Sequence, residues 1–186
     1  ELRTATVMFA DIRGFTTLSE RLDPQEVVIM LNEYFEYMVD IIFKYRGTLD
    51  KFIGDEIMAV WGAPLSEEDD TERAVRAAVE MQQMLHELNQ VRASQGEQTI
   101  RIGIGLNTGE VVAGYMGSTR SMNYTVMGDT VNTAARFCSA AGPGDVLIGQ
   151  NTHAQVGDLF STELLPPTKL KGKLEHVDIY RVRGLR

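Results

Sequence analysis

The order of apolar and polar residues predicts a strand followed by a long helix at the start of the chain. Residues 4–10 are rich in β-formers and end at Asp11, which predicts a strand and then a turn. Asp23 precedes a Pro-Gln-Glu sequence, a typical helix N-terminus. Apolar residues then recur every three or four positions as far as Gly47, a plausible helix stop.

The remaining pattern predicts a hairpin, a second long helix and several further strands. Residues 48–53 and 57–61 are short apolar segments around Gly54-Asp55, which is typical of a tight hairpin. Further along, the pattern predicts a helix around residues 74–88, a strand at 100–106, a turn at 107–109 leading to residues 111–113, a helix from about 129 to 141, and short strands at 146–148, 160–165 and 177–182.

The first six elements follow the order strand, helix, strand, strand, helix, strand. We therefore predict an α+β fold with a ferredoxin-like βαββαβ core and a C-terminal extension. A right-handed crossover makes the first two strands parallel, with the third strand between them. Asp11 and Asp55 are 44 positions apart in the sequence. This topology brings them to the same edge of the sheet.

Composition supports a globular protein. The 186 residues are 44% hydrophobic and 24% charged, average values that exclude a disordered tail, a collagen-like rod and a simple coiled coil. We expect one domain over residues 1–186. The longest apolar run, residues 27–31, is far shorter than a membrane-spanning helix. Because the chain starts with Glu and shows no leader, we interpret it as a domain of a longer, regulated protein.

Net charge and cysteine content indicate which kinds of partner and which cellular compartment to expect. The net charge of −8 argues against nucleic acid as the main partner, although a few cations would suffice for a small phosphate ligand. Cys138 is the sole cysteine, so the chain has no internal disulfide and a reducing compartment is expected. We predict a cytoplasmic location and leave open whether a parent protein is attached to a membrane.

Three groups of residues could carry phosphate chemistry. Asp11 and Asp55 together offer oxygen ligands for a divalent cation, and two such ions can assist a displacement at phosphorus. Each aspartate taken alone is also a common turn residue. Asn132 and Arg136 share one face of a helix and could hold a phosphoryl group, or could simply be a solvated face. A third, basic group could grip a polyphosphate or form a plain surface turn: Arg120, Lys169, Lys171 and Lys173.

Four segments resemble the class III adenylyl/guanylyl cyclase catalytic domain. They are FADIRGFT at 9–16, KFIGD at 51–55, GDTVNTAAR at 128–136 and LKGK at 170–173. The resemblance covers nearly the whole chain in the right order. It implies conversion of ATP to cyclic AMP and pyrophosphate for intracellular signalling, with two Mg²⁺ or Mn²⁺ ions per site. It also implies a head-to-tail homodimer whose sites form at the interface.

The resemblance assigns roles by position. Asp11, Asp55 and the Ile12 carbonyl match the metal ligands, and Lys51 and Thr125 match the adenine contacts. Asn132 matches the residue that orients the ribose, and Arg136 matches the transition-state arginine. Arg120 and Lys171 fall where the family binds the triphosphate. Threonine at position 125 is similar to a bacterial and soluble subgroup, some of whose members respond to bicarbonate.

Three alternatives stay open. A guanylyl cyclase would typically carry Glu and Cys in place of Lys51 and Thr125. A diguanylate cyclase shares the palm-like fold and a Gly-Asp-Glu hairpin, but its signature has a second Gly where this chain has Ile53. A non-catalytic nucleotide-binding domain would usually lack a metal aspartate or the Asn132/Arg136 pair.

Overall fold

The structure, a computed structural model, describes residues 1–167, 170 and 177–186. No helix within these residues is long and apolar enough to cross a membrane. The elements in chain order are β1 (Leu2–Ile12), α1 (Phe15–Glu20), α2 (Pro24–Lys44), β2 (Thr48–Ile53), β3 (Glu56–Trp61), α3 (Asp70–Ser94), β4 (Ile102–Ser118), β5 (Ser121–Met127), α4 (Asp129–Ala140), β6 (Val146–Gly149), α5 (Gln150–Val156), β7 (Phe160–Leu164) and β8 (Ile179–Leu185).

The strands form one sheet in the order β2-β3-β1-β4-β6-β8-β7, with β5 paired to β4. Strand β1 is antiparallel to both β3 and β4, so that Thr6 lies opposite Trp61 on one side and Thr108 on the other. The order β2-β3-β1-β4 with α2 and α3 as connections confirms the predicted βαββαβ core. Strands β6, β7 and β8 form the predicted C-terminal extension, and β6 is parallel to β4.

Each face of the sheet packs against its own helices, because successive side chains of a strand point to opposite faces. Met8 and Ala10 of β1 belong to a large core with α2 and α3. Val7 and Phe9, which alternate with them along β1, belong to a second core that includes Ala134 of α4. The sheet therefore lies between α2/α3 on one side and α4 on the other.

Helix α4 lies directly against the backbone of β4. A Cβ atom on Gly105 would come within 2.3 Å of the Cys138 backbone nitrogen, so only glycine fits at this contact. Nearby, the Cys138 thiol donates to the Gly103 carbonyl oxygen over 3.4 Å. These contacts fix the position of α4 relative to the sheet.

The predicted turn at residues 107–109 is wrong, because β4 continues through it to Ser118. The polar residues there find partners inside the protein. The Thr108 hydroxyl is hydrogen-bonded to the hydroxyls of Thr6 at 2.9 Å and Thr152 at 2.8 Å. The Asn107 side chain donates to the Thr130 carbonyl oxygen over 3.2 Å. A sequence rich in turn-formers thus remains a strand because neighbouring elements satisfy its polar groups.

Three elements were not predicted: α1, β5 and α5. The signal for β5 is present in the sequence, since Met122, Tyr124 and Val126 alternate strictly with polar residues. Pairing of β5 with β4 builds a hairpin that places Gly114 opposite Thr125. Thr125, one of the two predicted adenine contacts, lies on this hairpin. The position of that contact therefore could not be predicted without β5.

Candidate active site

The two predicted metal aspartates lie at the same edge of the sheet. Asp11 is the penultimate residue of β1, and Asp55 follows Gly54 at the tip of the β2–β3 hairpin. The backbone amide of Ile12 donates to Asp55 Oδ2 over 3.0 Å. This hydrogen bond confirms that the end of β1 and the hairpin tip converge, as the topology predicted.

Arg13 provides a counter-charge at this edge that sequence reasoning missed. Its guanidinium is paired with Asp11 Oδ1. It also donates to the Ala141 carbonyl oxygen, at the C-terminal end of α4, over 2.9 Å. A cation that binds Asp11 would take the place of this pairing.

Glu56 and Cys138 complete an acidic cluster around Asp11. The ligand atoms of Asp11, Glu56 and Cys138 lie within 4.8 Å of one another. Burial raises the pKa of Glu56, the neighbouring charge of Asp55 raises it further, and Arg13 opposes both effects. Burial, followed by the charge of Glu56, raises the pKa of the Cys138 thiol to about 12. The thiol is therefore neutral at physiological pH, and the carboxylate oxygens fit a hard divalent cation.

Lys51 and Thr125 are brought together by Asp50, a residue that sequence reasoning did not consider. The Thr125 hydroxyl donates to Asp50 Oδ2 over 2.8 Å. The Lys51 ammonium lies 3.6 Å from Asp50 Oδ1. The Asp50 side chain is only 4% exposed, whereas that of Lys51 is 46% exposed. The two predicted adenine contacts thus share one buried carboxylate.

A β-bulge explains why the adjacent side chains of Asp50 and Lys51 lie on the same side of β2. In the pairing of β2 with β3, Leu49 lies opposite Ala59 and Lys51 lies opposite Met58, so Asp50 is an extra residue. A bulge breaks the strict alternation of side chains and re-aims one of them. Without it, adjacent residues of a strand would point to opposite faces.

Asn132 and Arg136 lie on the side of α4 that faces away from the acidic cluster. Asn132 is exposed and Arg136 is half-buried. Cys138, which approaches Asp11 and Glu56, is two residues after Arg136, or about 200° further around the helix. The arginine therefore points away from the aspartates of its own chain.

Among the described residues, Arg120 is not joined to either group by a hydrogen bond or ion pair. Arg120 is exposed in the turn between β4 and β5. Lys171, together with Lys169 and Lys173 of the same basic group, lies outside the described residues. Their roles stay predictions.

Comparison with known proteins identifies the family. The model of the adenylate and guanylate cyclase catalytic domain matches residues 1–184. The chain belongs to this family. Adenylate cyclase 1 of Rhizobium meliloti is 36% identical over 182 residues. That match takes in 97% of the chain and 27% of the relative, so the chain spans about a quarter of the relative's length.

Solved structures of both base specificities share the fold of this cyclase domain. The adenylyl cyclase CyaB from P. aeruginosa superimposes with a TM-score of 0.96 at 35% identity, over 100% of this chain and 96% of that chain. The guanylyl cyclase Cya2 gives a TM-score of 0.91 at 41% identity, over 100% of this chain and 94% of that chain. These comparisons confirm the predicted class III cyclase fold. Overall similarity does not tell whether a cyclase uses ATP or GTP. The preferred nucleotide depends on the side chains that would contact the purine base.

Proposed function

We propose that this cyclase domain is an adenylate cyclase that converts ATP to 3′,5′-cyclic AMP and pyrophosphate. The observation that supports ATP is the pairing of Lys51 and Thr125 around Asp50. The Lys51 ammonium can only donate a hydrogen bond, which suits N1 of adenine, an acceptor. Guanine carries N–H at that position, so Lys51 would meet a donor. The Thr125 hydroxyl would contact the adenine amino group.

Asn132 and Arg136 would act on the sugar and the reacting phosphate. The Asn132 amide would hold the ribose so that its 3′-oxygen is in line with the α-phosphorus, which removes much of the entropic cost of reaching that geometry. The Arg136 guanidinium would stabilise the negative charge that develops in the transition state. Arg120 and Lys171 would bind the pyrophosphate that leaves.

Asp11, Asp55 and the Ile12 carbonyl would hold the divalent cations, which we assign as two Mg²⁺ or Mn²⁺ ions. When bound, such ions neutralise phosphate charge and lower the pKa of the 3′-hydroxyl. The donor set fits them, since it consists of carboxylate and carbonyl oxygens in a cluster with excess negative charge. Release of Arg13 from Asp11 would accompany binding.

A head-to-tail homodimer would assemble each site from two chains. One chain would supply Asp11 and Asp55, and the other would supply Lys51, Thr125, Asn132 and Arg136. The orientation of α4 supports this arrangement: Arg136 points away from the aspartates of its own chain, so it would have to meet those of a second copy. Two identical chains related by a two-fold axis would give two equivalent sites.

The test is turnover by the purified chain with ATP or GTP in the presence of Mg²⁺ or Mn²⁺. We expect kcat/KM for ATP to exceed that for GTP by at least about tenfold, since a mismatched buried polar group costs about 1–3 kcal/mol. The double variant Lys51→Glu/Thr125→Cys should erode or invert the preference. Equal use of ATP and GTP by the unmodified chain would exclude the assignment.

A guanylyl cyclase is the second candidate, because Cya2 is 41% identical to this chain. The same assay separates the two candidates, since a guanylyl cyclase would prefer GTP.

We propose that residues 1–186 form a single catalytic domain. Bicarbonate responsiveness is not supported by the comparisons and forms no part of the proposal.

A further inference from the structure

We propose that Asp50 is a positioning residue that sets base specificity by fixing the direction of the hydrogen bond that Thr125 can offer. This inference rests on the proposed function, because it takes Lys51 and Thr125 as the residues that contact the base. It assigns a role to a residue outside the proposed phosphate and metal contacts.

A threonine hydroxyl is an ambiguous specificity element. It has one hydrogen to donate and two lone pairs with which to accept. It can therefore accept from the amino group at C6 of adenine, or donate to the oxygen at C6 of guanine. Thr125 alone would not discriminate between the two bases at this position.

Asp50 removes the ambiguity. As a carboxylate it can only accept hydrogen bonds, and its Oδ2 receives the one hydroxyl hydrogen of Thr125 at 2.8 Å. The Thr125 oxygen is left with its lone pairs, so it presents an acceptor to any purine. That acceptor suits the adenine amino group and opposes the guanine oxygen.

The surroundings of Asp50 hold this arrangement in place. Its side chain is 4% exposed, so water cannot readily compete for the carboxylate. Its second oxygen, Oδ1, has no hydrogen-bond partner among the described residues and lies 3.6 Å from the Lys51 ammonium. The bulge in β2 places Asp50 and Lys51 side by side. One oxygen of the carboxylate thus orients the hydroxyl while the other faces the ammonium.

The main test is the ATP:GTP ratio of kcat/KM for Asp50→Asn. Asparagine has nearly the same shape, but its amide can turn its NH₂ group toward Thr125 and free the hydroxyl to donate. We expect the ratio to fall at least about tenfold, mainly through improved use of GTP. An unchanged ratio in a folded Asp50→Asn protein would overturn the proposal.

A double variant shows whether Asp50 acts through Thr125. Thr125→Val removes the hydroxyl, so Asp50→Asn added to Thr125→Val should change the ratio no further. Thr125→Ser keeps the hydroxyl and should keep the wild-type ratio. If Asp50→Asn lowers the ratio equally in the Thr125→Val background, Asp50 does not act through the hydroxyl and the inference is wrong.

Asp70→Asn is the matched control for loss of a poorly exposed carboxylate. The Asp70 side chain is 13% exposed and is paired with Arg73 at 2.6 Å, in the first turn of α3. This variant should lose stability and keep the wild-type ATP:GTP ratio. A general effect of destabilisation on specificity would appear in both variants.

Turnover of inosine triphosphate by the unmodified protein is an independent test. Inosine triphosphate carries the guanine pattern at N1 and C6 without the amino group at C2, so it should be rejected as strongly as GTP. Use of inosine triphosphate at the ATP rate would contradict an acceptor fixed at Thr125. A wild-type chain that does not prefer ATP would instead refute the proposed function. Preference for ATP with no effect of Asp50→Asn would refute this inference alone.

Discussion

The backbone amide of Ile12 donates to the carboxylate of Asp55, 43 positions further along the chain, over 3.0 Å. The bond ties the end of β1, where Asp11 lies, to the hairpin tip that carries Asp55. Two acidic groups at one edge are costly unless a cation compensates them. In the structure, Arg13 supplies part of that compensation through its pairing with Asp11.

Asp11→Asn or Asp55→Asn should lower turnover of ATP more than tenfold, a loss of at least about 1.4 kcal/mol in transition-state stabilisation. At position 55 asparagine keeps an oxygen that can accept from the Ile12 amide, and at position 11 it keeps an oxygen that can accept from Arg13, so the thermal midpoint should change little. The measurement is cyclic AMP formation over a range of Mg²⁺ and Mn²⁺ concentrations, with circular dichroism for folding. Glu80→Gln, which removes a carboxylate of α3 that is paired with Lys44 of α2, is the control and should stay active. Wild-type turnover by either aspartate variant would contradict the metal role.

The shared site can be tested by mixing two inactive variants. An Asp55→Asn homodimer and an Arg136→Ala homodimer each have two defective sites. In a heterodimer of the two, one site carries both substitutions and the other carries neither. If chains exchange freely, half of the dimers are heterodimers with one intact site, so the mixture should regain roughly a quarter of wild-type activity.

The recovered activity should increase with total protein concentration, because dilution dissociates dimers. Subunit exchange is checked independently with two differently tagged chains. A mixture that exchanges subunits and stays as inactive as its components would show that each site is built within one chain.

Gly105→Ala should destabilise the protein by about 1–3 kcal/mol, since the new Cβ would lie 2.3 Å from the Cys138 backbone nitrogen and α4 would have to move. Gly114→Ala in the same strand is the control, because no atom lies within 4 Å of a Cβ built there. The measurement is urea unfolding of both variants. Equal stability of the two variants would contradict the close packing of α4 on β4.

Stability should fall at alkaline pH because of Cys138. The pKa of its thiol is about 12 in the fold and near 9 ordinarily. Between these values the unfolded chain loses the proton and the folded chain keeps it, so the free energy of unfolding decreases as pH rises. The contribution is at most about 1.4 kcal/mol per pH unit.

Cys138→Ala removes this contribution. Its urea stability should therefore fall less steeply than that of the wild type above pH 9, after a fixed offset for the lost side-chain volume. Thiol labelling gives a second measurement: Cys138 should react far more slowly in the native protein than in urea. Parallel stability curves for the two proteins would refute a thiol held neutral by the fold.

Much of the fold could be predicted from the sequence, because its long helices and core strands have clear apolar periods. The hairpin at Gly54-Asp55 and the βαββαβ order were enough to bring Asp11 and Asp55 to the same edge of the sheet. The prediction failed at residues 107–109, where turn-forming residue types lie inside β4. Thr108 stays in the strand because Thr6 and Thr152, distant in sequence, bond its hydroxyl. Local residue type cannot reveal such partners.

The sequence by itself determined the family motifs, the α+β class and the identity of the chemical groups: two aspartates, an amide, an arginine, and a lysine with a threonine. Only the tertiary structure decided how these groups are oriented. The bulge at Asp50 and the β4–β5 hairpin join Lys51 to Thr125, and the packing of Cys138 turns Arg136 away from its own aspartates. Hydrogen-bond direction and helix facing depend on contacts between segments far apart in the chain, and periodicity along the chain carries no information about them.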